Sequence, residues 1–423
     1  MRKFFFLLLF WTTAGHAQFV DTLTVMTYNL LYYGVNTSFC TTGNNNVATK
    51  NGHLQTIFQH TKPDVLGVQE MGAVSYSVGL LQNVLNTNGI TSWSRAPYTN
   101  TNASSLVSLL YYNTDKLTFQ RHDPVPTAGR DIILYRLYYN TIPLNNDTIF
   151  LNFAVMHLKA GGTSSDQAQR GQEAQTLMDF LNNQGFKGNL VIMGDLNVSS
   201  SSESGYQHFV THPNNAIRLY DPVNRPGNWS ANSSFADIHT QAPTINSNGC
   251  TSGGGMDDRY DHLLINDYVR QDSGRVAYVA GSYLAVGNDG IRYNGAVNSP
   301  SNQQVPVPVA NALAVASDHL PVRLKLAIDL SGDVSVRGLK NTQTALRFAV
   351  ADEELLIWSE QPFSGEFRLV VRDLAGRLVL QRAITLSEGQ SQGIPVDFIA
   401  KGVYVVSWTD GKSQAGSGRF IRP

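Results

Sequence analysis

Apolar residues in this chain recur in two rhythms, one suited to strands and one to helices. Short β-branched or wholly apolar runs, bounded by polar or Gly residues, read as strands: Leu23–Tyr28, Val65–Val68, Leu106–Tyr112, Leu134–Tyr139, Ile149–Met156 and Asn189–Met193. Between them, apolar residues three and four apart mark helical faces. Leu54, Ile57, Phe58 and Thr61 form one, closed by Pro63-Asp64; Val78, Leu81, Val84 and Leu85 form a second; Ala174, Leu177, Met178 and Leu181 form a third, broken by Gly185 to Gly188. Tyr260–Ile265, Val276–Val286 and Pro321–Leu326 return to strand patterning. Residues 199–256 and 288–309, rich in Asn, Ser, Gly and Pro, read as long irregular loops, which inside a compact domain serve function or lie partly disordered.

From about Asp329 the runs become shorter and alternate: Leu355–Trp358, Phe367–Arg372, Leu378–Arg382 and Val403–Trp408, separated by Gly and acidic turns. This is the pattern of a small β-sandwich. It carries no His and reads as a separate, non-catalytic module. The other end is different again. Arg2-Lys3, an apolar run Phe4–Trp11 and Gly15-His16-Ala17 read as a secretory signal peptide over residues 1–17, with cleavage before Gln18. No other long apolar stretch follows, so no stable membrane span is expected. The expected order is signal peptide 1–17, main domain 18–328, linker 329–344 and C-terminal β-sandwich 345–423.

Lys and Arg number 31 against 32 Asp and Glu, which excludes a global basic field for non-specific nucleic-acid binding. A polyanionic substrate must be met locally. The two cysteines, Cys40 and Cys250, are expected to form a disulfide in an exported chain, two free thiols being the alternative.

The chemistry-bearing residues follow predicted strands: Asn29, Glu70, His157, Asp195 with Asn197, Asp261, and Asp318 with His319. Strand ends are rigid and open to solvent, which is where mixed α/β layers place reactive groups. Singly, each has an ordinary explanation. Glu70 suits a solvated loop acid, His157 a core histidine, Asp261 a partner for Arg259, and Gly194-Asp195-Leu196-Asn197 an Asx turn. Together they suit phosphoester hydrolysis. Glu70 and Asp318 offer the few carboxylate oxygens a hard cation such as Mg2+ takes, Asp195 is the candidate base, and Asn197, Asn29 and an imidazolium can meet phosphoryl charge. Asp261 is expected to fix and charge His319. No Cys/His cluster suits zinc.

In this order, M-T-Y-N (26–29), V-Q-E (68–70), V-M-H (155–157), M-G-D-L-N (193–197), R-Y-D-H-L-L-I (259–265) and S-D-H-L-P-V (317–322) resemble the endonuclease/exonuclease/phosphatase superfamily over about residues 20–328. The resemblance implies a four-layered α/β sandwich of two packed mixed sheets. By motif, it implies Glu70 on the metal with help from Asn29, Asp195 activating water and Asn197 orienting phosphate. Asp318 would assist the metal, while His319 with Asp261 would stabilise the transition state. His157 resembles the second histidine of the deoxyribonuclease I branch, which protonates the leaving group. Leu31 departs from the apurinic endonucleases, which place a second acid there. Arg136 is the expected phosphate clamp, with Arg130 as its rival. V-V-R-D-L-A-G-R-L-V (370–379), G-V-Y-V-V (402–406) and G-R-F-I-R (418–422) resemble the sorting domain of the type IX secretion route of Bacteroidetes.

The expectation is therefore a secreted or surface-attached, monomeric phosphodiesterase using Mg2+, Mn2+ or Ca2+, foremost a nuclease. Tyr32, Tyr33 and Trp229 are candidates to stack bases. A phosphatase or phospholipase-type enzyme, and a non-catalytic binding protein, are the alternatives.

Overall fold

The structure, a computed structural model, describes residues 20–140, 148–329, 346–351, 353–359, 365–373, 376–387, 391–410 and 415–422. The expected signal peptide, and the expected linker apart from Asp329, lie outside the described residues. Two compact units divide the chain, Thr22–Ile328 and a second that holds the C-terminal strands.

In the first unit the expected runs become β1 (Val20–Tyr33), β2 (Val65–Met71), β4 (Val107–Asn113), β6 (Ile132–Tyr139), β7 (Phe150–His157) and β8 (Asn189–Asp195), joined by β3 (Trp93–Arg95) and β5 (Leu117–Val125), which lie outside the expected runs. After them come β9 (Leu219–Tyr220), β10 (Asp261–Asn266), β11 (Val276–Tyr278), β12 (Leu284–Ala285) and β13 (Val322–Asp329). One sheet runs β11-β13-β1-β2-β4-β3, with β12 also on β13; the other runs β5-β6-β7-β8-β10-β9. Both are mixed, since β1/β2 and β7/β8 are parallel while β2/β4 and β8/β10 are antiparallel. Gly67 of β2 permits close packing of the sheets, because a Cβ there would meet the Met193 side chain of β8 at 2.4 Å.

Helices close the outer faces. Leu54, Ile57 and Phe58 of α1 (Val47–Thr61) share a core with Val309 and Leu313 of a C-terminal helix and with Met26, Tyr28 and Leu66 of the first sheet. On the second sheet, Ala174, Leu177, Met178 and Leu181 of the helix Ser164–Asn183 pack on Ala154, Leu190 and Ile192. The layers are helix, sheet, sheet, helix, as the sequence resemblance implies. Shorter helices at Val74–Leu80, Ser204–Val210 and Asp267–Arg270 complete the unit.

The helix Val307–Ala316 was not expected from the sequence. Its sequence, V-P-V-A-N-A-L-A-V-A, is apolar nearly all round, so it lacks the polar-apolar period that marks an amphipathic helix. The expected strand Val276–Val286 is instead two short strands joined by a turn at residues 279–283.

The second unit holds two antiparallel sheets: one of β14 (Leu346–Ala351), β15 (Glu354–Ser359) and β18 (Gln392–Pro395), in the order β14-β15-β18, and one of β16 (Gly365–Asp373), β17 (Leu378–Leu386), β19 (Gly402–Thr409) and β20 (Ala415–Arg422), in the order β17-β16-β19-β20. Leu355, Ile357 and Ile394 from one sheet and Phe367, Val371, Ile384, Val406 and Trp408 from the other form one core. Among the described residues no helix is long and apolar enough to cross a membrane.

Candidate active site

Three adjacent strands set out the first row of side chains. β7 and β8 are parallel with His157 beside Asp195, and β10 runs antiparallel to β8 with Asp261 opposite Asp195. Neighbouring in-register residues share a sheet face. His157, Asp195 and Asp261 therefore stand in line, all buried. Gly194 is inside β8, contrary to its expected part in a turn after the strand. Its φ is +148° and a Cβ would lie 1.9 Å from the Met156 carbonyl, so only Gly lets β7 and β8 approach here.

The first sheet supplies Asn29 and Glu70. Leu31 and Tyr32 have positive φ, as does Glu70, and the β1/β2 register shifts at this point. Each such non-Gly residue costs roughly 1–3 kcal/mol, so neighbours must hold it. Lys50 does so: its Nζ donates to the Leu30 and Leu31 carbonyls, each at 2.7 Å. Asn45 Nδ2 adds bonds to the Leu31 and Tyr32 carbonyls at 3.1 and 3.2 Å. The Tyr32 N–H is thereby aimed at Glu70 Oε2 (2.8 Å), and Leu31, which departs from the acidic pattern, packs on the Cys40–Cys250 disulfide.

Asn29 joins the two sheets. Its Nδ2 donates to Glu70 Oε1 and to Asp195 Oδ2, both at 3.1 Å. On Asp195, the other oxygen accepts the Asn197 N–H at 2.9 Å. This is an Asx turn, with Asn197 at φ +52°, as the ordinary reading of Gly194-Asp195-Leu196-Asn197 has it. The Asn197 amide is turned to the Leu158 carbonyl at 3.2 Å.

The Ser317-Asp318-His319 segment closes the site. Ser317 Oγ donates to the Asn29 carbonyl at 2.7 Å, and Asp318 Oδ2 accepts the Ser252 N–H at 3.0 Å. His319 Nδ1 lies 2.8 Å from Asp261 Oδ2, and its Nε2 is 3.7 Å from Asp195 Oδ2 and 2.8 Å from the Gln241 amide. Arg259, the alternative partner for Asp261, instead pairs with Asp221 at 2.7 Å.

Burial and charge tune these groups. Burial alone would lower the His319 pKa, but Asp261 and Asp195 overcome it and hold it well above the ordinary value. Burial, with Asp261 and Glu70 adding to it against His319 and Asn29, pushes Asp195 up to about 7. Burial first and Asp318 second raise Glu70. Burial, with Arg130 and His319, drives His157 well below its usual pKa. His157 Nδ1 has no partner while Nε2 lies 3.4 Å from Asp195, surroundings that suit a neutral imidazole facing Asp195.

Arg136 needs correction. It pairs with Asn152 across β6/β7, five residues along the strand from His157, and its guanidinium covers the Phe150 ring at 4.0 Å. Strand register places it away from the site. Arg130 is the arginine that reaches it, donating to the His157 and Leu158 carbonyls at 3.3 and 3.5 Å. Lys50, Gln241 and Ser252 were not anticipated. Lys50 had a signal, since it falls four residues before Leu54 on the apolar face of α1; the other two sit in loops without periodicity.

The profile of the Endonuclease/Exonuclease/phosphatase family matches residues 26–319. Among solved structures, a family protein from Bacteroides thetaiotaomicron is 16% identical, covering 74% of this chain and 98% of its own, with a TM-score of 0.48. A mannosyl-6-phosphatase of the same organism is 15% identical over 72% of this chain and 99% of its own, with a TM-score of 0.47. D. rerio TDP2 complexed with a single-strand DNA product is 11% identical over 72% and 99%, also with a TM-score of 0.47. No curated protein sequence matches the chain. The chain belongs to the endonuclease/exonuclease/phosphatase family, a family of phosphoesterases.

Proposed function

We propose that this protein is an exported, divalent-metal-dependent phosphodiesterase, foremost a nuclease. The observation that carries the reading is the convergence of two hydrogen-bonded groups, Asn29 with Glu70 and Asp195, and Asp261 with His319, whose Nε2 stands 3.7 Å from Asp195, with Asp318 beside them.

Glu70 and Asp318 fit a hard cation. They lie close enough for Asp318 to raise the Glu70 pKa, and both meet amide N–H donors rather than a lysine or arginine. Among the described residues no group of three or more His, Cys, Asp or Glu forms a metal cage. Two carboxylates are a sparse set of the kind Mg2+ uses with water and substrate oxygens, and Asn29 helps by holding Glu70 through its NH2 group rather than as a ligand, since its oxygen accepts the Leu31 N–H at 2.9 Å. A bound Mg2+ or Mn2+ would polarise a phosphoryl oxygen and offset its growing charge. Asp195, with its raised pKa, accepts the proton of the attacking water. The His319 imidazolium, held by Asp261, donates from Nε2 to a phosphoryl oxygen, and Asn197 orients the phosphate. His157 serves as a neutral donor to Asp195.

Nucleic acid is the favoured substrate because of the rim. Tyr33 and Trp229 are fully buried and drop out as stacking surfaces. Tyr32 is partly exposed above Glu70, edge-on to Phe39 at 5.4 Å, and Phe39 is 48% exposed. A base beside the scissile phosphate can stack there. A small phosphate ester is the second reading, favoured by the burial of Arg170, Arg259 and Arg292 against Glu203, Asp221 and Asp289. Export by the signal peptide and the type IX route agrees with a disulfide.

The test uses metal-stripped protein, returned to Mg2+ or Mn2+, on plasmid DNA, RNA, a chromogenic phosphodiester and phosphomonoesters. Metal-dependent nicking, lost in Asp195→Ala and His319→Ala, is expected. Cleavage of monoesters alone would move the substrate to the second reading, and no hydrolysis at all would leave a binding protein.

A further inference from the structure

The segment around Gln241 runs beside His319. It is strapped to the chain before β10: Gln241 N–H donates to the Asp258 carbonyl at 3.1 Å, and the Asp257 and Asp258 N–H groups donate back to the Gln241 carbonyl at 2.9 and 3.1 Å. Gln241 also bridges to His319, and the adjacent Leu320 N–H donates to the Thr240 carbonyl at 2.7 Å. The Gln241 backbone is fixed. Its side chain is only partly buried and ends on His319, amide nitrogen to Nε2 at 2.8 Å.

Nε2 has one hydrogen-bonding position. A neutral ring with its proton on Nδ1 accepts there from the Gln241 NH2 group, and a charged ring donates there to the Gln241 carbonyl oxygen once the amide is turned over. Which end of an amide faces a neighbour is an assignment from the bonding pattern, so both arrangements fit the same atoms. Either way the position is filled. Asp195, the other group near Nε2, is at 3.7 Å and does not compete. If His319 donates from Nε2 to a phosphoryl oxygen, Gln241 must release it first.

We propose that Gln241 is a latch: its amide occupies the place on His319 Nε2 that a phosphoryl oxygen takes, and swings outward when phosphate enters. This rests on the phosphoesterase reading of the site. Gln241 is a positioning residue, acting through His319. Because the backbone is held separately, release needs only side-chain rotation toward solvent. Water replacing the amide would be displaced at less cost than a tethered partner.

Two variants of nearly equal volume test the latch in the whole protein with Mg2+. Gln241→Met keeps the shape and removes the bond; Gln241→Glu keeps the shape and gives the imidazolium a carboxylate. Inorganic phosphate affinity by calorimetry and KM for a chromogenic phosphodiester are the readouts. The latch predicts opposite signs: about three- to tenfold tighter phosphate and lower KM for the Met variant, and weaker binding with higher KM for the Glu variant. A merely structural side chain would give losses in both. Weaker phosphate binding by Gln241→Met, with wild-type binding intact, overturns the latch and makes Gln241 a substrate ligand. Absence of phosphate binding and of all hydrolysis in the wild type would instead fail the reading of the site, and the latch with it.

Discussion

At the scale of single residues, the buried polar groups next to Asp195 divide into those that serve the site and those that serve the fold. His262 follows Asp261 on β10 and faces the other way, between the rings of Trp229 at 5.4 Å and Tyr206 at 6.0 Å. Its Nδ1 lies 3.0 Å from the Tyr260 carbonyl, which a neutral ring meets as a donor, and Nε2 has no partner. Burial, then Arg259, lowers its pKa from 6.5 to about 3. The unfolded chain takes up this proton below about pH 6.5 while the folded chain does not. Stability from the neutral ring is therefore complete above that pH and is lost as pH falls toward 3, by up to about 1.4 kcal/mol per pH unit. His262→Phe should cancel this part. Between near pH 7 and about pH 5, urea unfolding of the wild type should lose about 2 kcal/mol more than that of the variant. Equal losses in both would show that His262 does not carry the acid sensitivity.

At the scale of elements, the disulfide is the clearest link between loops and site. Cys40 follows β1 and Cys250 lies in the long loop before β10, 210 residues on, with Cα atoms 4.5 Å apart. Asn44 and Asn248 exchange side-chain bonds to each other's carbonyls beside it, at 3.3 and 2.9 Å. Two residues past Cys250, the Ser252 N–H reaches the Asp318 carboxylate. Replacing both cysteines by Ser should cost about 2–5 kcal/mol in urea unfolding. It should also weaken Mn2+ binding, measured by titration into metal-free protein, because Asp318 loses a fixed donor. Unchanged Mn2+ affinity would confine the bridge to stability. The same elements show why some features were legible in sequence and others were not. Asn29, Glu70, His157 and Asp195 follow apolar runs whose period is set by local backbone geometry, and Asp261 opens one. Register is a tertiary property, and it decided that Arg130, not Arg136, reaches the site. Gln241 and Ser252 depend on the course of an aperiodic loop, so nothing in their neighbours' spacing announces them.

At the scale of the whole molecule, the question is what the C-terminal strands do for the chemistry. The family match ends at residue 319, before the last strand of the first unit, and every group in the candidate site lies between Asn29 and His319. Each unit has a hydrophobic core of its own, one built on residues such as Leu66 and Leu313 and the other on residues such as Val371 and Trp408. Units with separate cores can fold separately, and boundaries between them tolerate cutting. A protease site placed within residues 330–345 and cleaved in the purified protein should therefore leave kcat and KM on a chromogenic phosphodiester unchanged. Heating the cut protein should give a transition for the first unit at the same temperature as before. Loss of activity on cutting would mean that the C-terminal strands complete the site. In cells, a chain stopped before residue 346 should keep its hydrolytic activity but accumulate inside the cell envelope, as expected of an export address; unimpaired release of that shortened chain would assign the strands to surface or carbohydrate binding instead.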